Sequence, residues 1–177
     1  MERSTRTPSL SGIAGILIGI VALGGVGVFR WLEGGSANLL RDGILAALTT
    51  LLLAISLALL FSYRMAQRQR LPLRSRPLDL VVIELSIPLA AGGAFCIALL
   101  LQGLFSYLPF AMLTFYGLGL VSASKFAVRE VRWLGLTELL LGICSAFVPG
   151  WGPGLWAAGF GGAHILYGVR IYLRYEK

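Results

Sequence analysis

Residues 133–173 read WLGLTELLLGICSAFVPGWGPGLWAAGFGGAHILYGVRIYL. Two apolar runs flank Pro149-Gly150-Trp151-Gly152-Pro153-Gly154, a cluster of residues that punctuates a chain rather than continuing a helix. A helix crosses a bilayer in about 17 to 25 residues. The stretch therefore predicts two spans, at about 133–148 and 155–173, folded back on each other as a tight antiparallel hairpin. The first is the shorter and can begin a turn earlier.

Four further apolar runs precede this hairpin, at about 10–29, 43–63, 80–104 and 107–124. The expected fold is all-α: an integral membrane six-helix bundle forming one domain over residues 1–177. Composition agrees. The chain is 57% hydrophobic and 13% charged, with a mean hydropathy of +0.82, whereas soluble domains are about a quarter charged. Residues 1–29 share the layout of a signal peptide, with Arg3 and Arg6 ahead of an apolar run. They are read here as a retained first span.

The charges orient the six spans. With both termini in the cytoplasm, 13 of the 15 basic residues fall inside and only Arg30 and Arg41 outside, the asymmetry of the positive-inside rule. Trp31, Trp151 and Trp156 fall at the outer boundary and Trp133 at the inner one, where amphipathic rings are favoured. The net charge of +7 is thereby a topology signal, and nucleic acid is not an expected partner. The lipid bilayer is the expected partner, with another membrane protein or a second copy of the chain as further possibilities.

Three ionisable residues fall inside spans: Glu84, Glu138 and His164. Such groups are costly in a bilayer and usually face the bundle interior with a partner. At about 1.5 Å per residue, Glu138 and His164 each lie roughly 9 Å from the nearest boundary arginine, and Glu84 roughly 7 to 8 Å from Asp79. Folding the hairpin about residue 151 sets Glu138 opposite His164. The same register sets Gly135 opposite Gly168, Gly142 opposite Gly161 and Ser145 opposite Ala157, so two small-residue stripes are expected to close on a polar pair. That pair is either a structural lock between helices or a proton or ion site, since imidazole titrates near neutrality.

Glu84 precedes Pro88 by four residues. Proline cannot donate to that carbonyl, so the third span is expected to bend or open there, as an ordinary kink or as a site for a cation or a water. Gly15-x-x-x-Gly19 in the first span is a small-xxx-small motif, suited either to packing within the chain or to self-association. Arg64, Arg68, Arg70, Arg74 and Arg76 make an acid-free cytoplasmic loop. It is a topology determinant or a surface for anionic lipid headgroups.

Cys96 and Cys144 lie in apolar runs and are read as buried filler. One histidine and two such cysteines do not make a usual zinc site. A single axial haem ligand at His164 is a minor alternative. No catalytic residue, cofactor or metal is expected, and the chain is not expected to be an enzyme.

Two stretches carry a resemblance: residues 128–135, VREVRWLG, and residues 159–168, GFGGAHILYG, followed by Arg174-Tyr175-Glu176. They resemble a group of small uncharacterised bacterial polytopic membrane proteins, over about the last 50 residues. Residues 139–149 are also similar in style to the HdeD-like six-span acid-resistance family. The resemblance implies a bacterial inner-membrane location and no particular activity. The expected role is an accessory, scaffold or stress-related one through helix-mediated assembly. The alternative is a small transporter or channel component using the Glu/His site.

Overall fold

The computed structural model describes residues 12–68 and 76–176. These are all-α: α1 Gly12–Glu33, α2 Leu39–Arg68, α3 Arg76–Leu101, α4 Leu108–Ala123 and α5 Arg129–Phe147, then a C-terminal helical stretch. That last stretch changes pitch as it goes, through α6 Gly152–Trp156, a π-helical Ala157–Ala163, α7 His164–Ile171 and a second π-helical segment Tyr172–Glu176. Four segments are long and apolar enough to cross a membrane: Gly12–Glu33, Leu39–Phe61, Leu78–Leu101 and Phe105–Ala123. They mark a membrane protein. α5 differs from them in opening on Arg129, Glu130 and Arg132 and carrying Glu138 within its 19 residues.

Local chemistry fixes the helix ends. After α1, Gly34 and Gly35 close a turn back onto Trp31 and Leu32. Asn38 then caps α2, its Oδ1 accepting the Arg41 N–H at 3.1 Å, and Ser36 donates to Asp42 at 2.7 Å. α3 ends in a Schellman turn: Gly103, at φ 71°, lets the N–H groups of Gly103 and Leu104 reach the carbonyls of Leu100 and Leu99. A 3-10 turn, Pro149–Trp151, joins α5 to α6. Within the apolar helices, Thr49, Thr50 and Thr137 return their hydroxyls to carbonyls one turn back, so no partner is needed from lipid.

The helices neighbour one another across the molecule in the order α2, α1, C-terminal stretch, α5, α4, α3. α5 lies between α4 and the C-terminal stretch and buries Glu130, Val131, Leu134, Gly135, Glu138, Gly142 and Ser145. α2 and α3 flank the row. None of the apolar span of α2 is buried and 6% of that of α3 is, so these two present their side chains outward.

The small residues pair differently from the hairpin register. Gly135 and Gly142 face α4, against Gly117 and Thr114, and not Gly168 and Gly161. Gly161 and Gly168 face α1. A Cβ at Gly168 would stand 2.5 Å from the Gly12 carbonyl oxygen and the Ile16 nitrogen, and one at Gly15 would stand 3.0 Å from the Gly168 Cα. The Gly15-x-x-x-Gly19 face is therefore occupied within the chain by the C-terminal stretch. In a bilayer, such close backbone contact replaces the hydrophobic drive as the source of helix association.

Two further expectations meet the structure. α3 continues as one helix through Pro88, so the helix is not interrupted near residues 84–88. The arginine segment is not one loop: Arg64 and Arg68 belong to α2 and Arg76 starts α3, with Pro77 in the first turn where a missing N–H is harmless. Arg70 and Arg74, like Arg3 and Arg6, lie outside the described residues.

Candidate functional site

The junction of α4, α5 and the C-terminal stretch holds the most buried polar group of the described residues. Glu138 is 0% exposed and His164 is 3% exposed. α5 carries Glu138 on the same buried face as Leu134, Gly142 and Ser145. His164 follows directly on the π-helical Ala157–Ala163, whose wider turns aim the ring back at its own chain.

His164 Nδ1 lies 3.2 Å from the Gly159 carbonyl oxygen, and Nε2 lies 2.9 Å from Tyr116 Oη on α4. A carbonyl only accepts, so Nδ1 carries the proton and, in the neutral ring, Nε2 accepts from the tyrosine. Glu138 Oε1 also stands 3.2 Å from Nδ1. Neither carboxylate oxygen, however, has a hydrogen-bond partner among the described residues. The carbonyl takes the N–H; the carboxylate lies beside it, off the bond axis. Gly159 makes room for it, because a Cβ there would collide with Glu138 Oε2 and stand 2.7 Å from Leu113 Cδ2.

Aromatic rings close the site. Phe160 stacks on His164 at 5.8 Å between centroids and Tyr116 at 5.5 Å. Trp156 continues the row against Phe160 at 4.8 Å. Along the same seam, Thr114 Oγ1 and Ser145 Oγ are buried with no hydrogen-bond partner among the described residues. The arrangement sets a carboxylate beside an imidazole that is bonded to Gly159 and Tyr116, and it can pin three helical segments together.

The structure thus brings Glu138 and His164 together and leaves Glu84 apart. Glu84 on α3 instead accepts a hydrogen bond from the Ser122 hydroxyl on α4. Two participants, and a buried acid outside the site, were not singled out from the sequence. Tyr116 gives no signal in a run of apolar residues. Gly159 was one glycine among 23. Glu130, 4% exposed, accepts from Arg174 at 2.7 Å and Tyr175 at 3.3 Å, with Arg170 at 3.9 Å. An acid at a helix start, opposite a basic tail across the predicted hairpin, was the available sign of it.

Among known protein families, curated proteins and solved structures, none matches the chain.

Proposed function

We propose that this chain is a six-span membrane protein, with both termini in the cytoplasm of a bacterial inner membrane. In this reading it acts as an accessory or scaffold component and carries out no chemistry of its own. The observation that carries it is the closure of the polar site: Glu138 at 0% and His164 at 3% exposure, capped by Phe160 and Tyr116. A transport site must be reached by its substrate, whereas a lock between helices is better sealed. The inner-membrane location rests on the resemblance, and the orientation on the basic residues, 13 against 2. Assembly through Gly15 and Gly19 is superseded, since those residues pack inside the chain. The flanking helices α2 and α3 are the surfaces left for a partner or a second copy.

One observation favours a second reading, a proton or cation site. A carboxylate buried without a hydrogen-bond donor among the described residues is expensive for a purely structural contact, and intramembrane carboxylates often serve relays.

Single-cysteine labelling in a background without Cys96 and Cys144 tests the topology. Cysteines replacing Ala37 and Gln67 should label from the outside and from the cytoplasm respectively. Labelling of both from one side would remove the six-span reading.

A further inference from the structure

A second site lies at the other end of α5, apart from the Glu138 junction. A groove of about 580 Å³ runs between the start of α5 and the end of the C-terminal stretch, lined by Arg129, Trp133, Leu134, Leu166, Arg170 and Arg174 among others. A second hollow, of about 650 Å³, continues it over the far side of Arg170 and Arg174.

The groove has two chemical ends. Three guanidiniums sit at its rim, with Arg170 and Arg174 side chains 68% and 58% exposed. Leu166, 73% exposed, and Ala163 make the apolar side, over the buried Leu134. Glu130 is the one carboxylate in the lining, and it is engaged with Arg174 at 2.7 Å. Arg129 has no acid within ion-pair distance among the described residues, and Arg170 stands 3.9 Å from Glu130. Arg174 is thus neutralised and fixed in place, while Arg129 and Arg170 keep donors and charge to offer. Trp133, 59% exposed, stands beside them where an indole favours the headgroup region.

We propose that this groove binds an anionic phospholipid, its phosphate held by Arg129 and Arg170 and one acyl chain laid along Ala163 and Leu166. The inference rests on the membrane reading above, which puts the start of α5 and the end of the C-terminal stretch at the cytoplasmic boundary. Charge complementarity selects the occupant. A soluble phosphate needs only the rim, whereas the apolar end extends toward the membrane interior. Basic pockets between helices at that boundary suit anionic headgroups, at about 1 kcal/mol per basic residue.

The test uses the full chain purified in mild detergent, with native mass spectrometry against phosphatidylglycerol and phosphatidylcholine of identical acyl chains. The parent should prefer phosphatidylglycerol. Arg129→Gln/Arg170→Gln should weaken that binding by roughly 30-fold and leave phosphatidylcholine unchanged. Arg129→Lys/Arg170→Lys should retain the preference, as should Arg30→Gln/Arg41→Gln. Unchanged binding in the double glutamine variant, or loss in the lysine variant, would overturn the proposal. Complete displacement by millimolar inorganic phosphate would overturn it in favour of a phosphate site. A cysteine replacing Lys125 tests the membrane reading separately. Labelling of it from the outside would break the topology without altering the detergent result.

Discussion

The carbonyl of Gly159 and the Nδ1 of His164 stand 3.2 Å apart, five residues distant in the chain. This contact sets the orientation of the imidazole. With Nδ1 committed to the carbonyl, Nε2 is left to face Tyr116 Oη at 2.9 Å, and the ring spans from its own helix to α4. Removing Glu138 therefore does not strand the imidazole, contrary to what a simple Glu–His pair implies.

Tyr116→Phe removes the hydroxyl on Nε2 and keeps the ring that stacks on His164 and Phe160. Interhelical hydrogen bonds in membranes average about 0.6 kcal/mol and reach about 1.7, so the loss of stability should fall in that range. Reversible unfolding in bicelles measures it. A loss near zero, combined with an unchanged His164→Phe variant, would show that the network contributes nothing to the junction.

Gly159 and Gly162 lie on one π-helical segment and make opposite predictions. A Cβ at 159 meets the Glu138 carboxylate and Leu113, whereas one at 162 meets nothing within 4 Å. Overpacking typically costs about 1 to 3 kcal/mol, so Gly159→Ala should destabilise by that amount and Gly162→Ala should not. Thermal melts of the two variants side by side decide it. Equal melting temperatures would contradict the placement of Glu138 against residue 159.

The close approach of α1 and the C-terminal stretch can be tested in the same way. At Gly168 the obstructing atoms belong to the backbone of Gly12 and Ile16 and cannot turn aside as a side chain would. Gly168→Ala should destabilise by at least about 1 to 3 kcal/mol or prevent folding. Gly24→Ala on α1, where a Cβ meets nothing within 4 Å, should be tolerated. Tolerance at 168 would free the Gly15 face and return it to self-association.

What the sequence reveals here follows from what each signal encodes. Apolar run length locates helices, and the turn at Pro149–Gly154 gives the height at which Glu138 meets His164. Height is not facing direction. A glutamate and a histidine can reach across a gap, so register alone brought them together. Glycines meet only where backbones touch, and Gly135 and Gly142 touch α4 while Gly161 and Gly168 touch α1. The π-helical Ala157–Ala163 changes the angle per residue, which a stripe drawn at constant pitch does not follow. The extension of α2 through Arg68 was hidden by its charge, since arginine is a good helix former that ends an apolar run without ending a helix.

The central claim is that the Glu138–His164 junction is a sealed lock and not a conduit. Proteoliposomes loaded with a pH-sensitive dye and exposed to a proton gradient measure this directly, with parent and Glu138→Gln proteins compared at equal density. The account predicts that both show the proton leak of protein-free liposomes, and that Glu138→Gln unfolds within about 1 kcal/mol of the parent. Gradient-driven flux in the parent, abolished in a Glu138→Gln protein that keeps its fold, would contradict it and assign the pair to proton transfer.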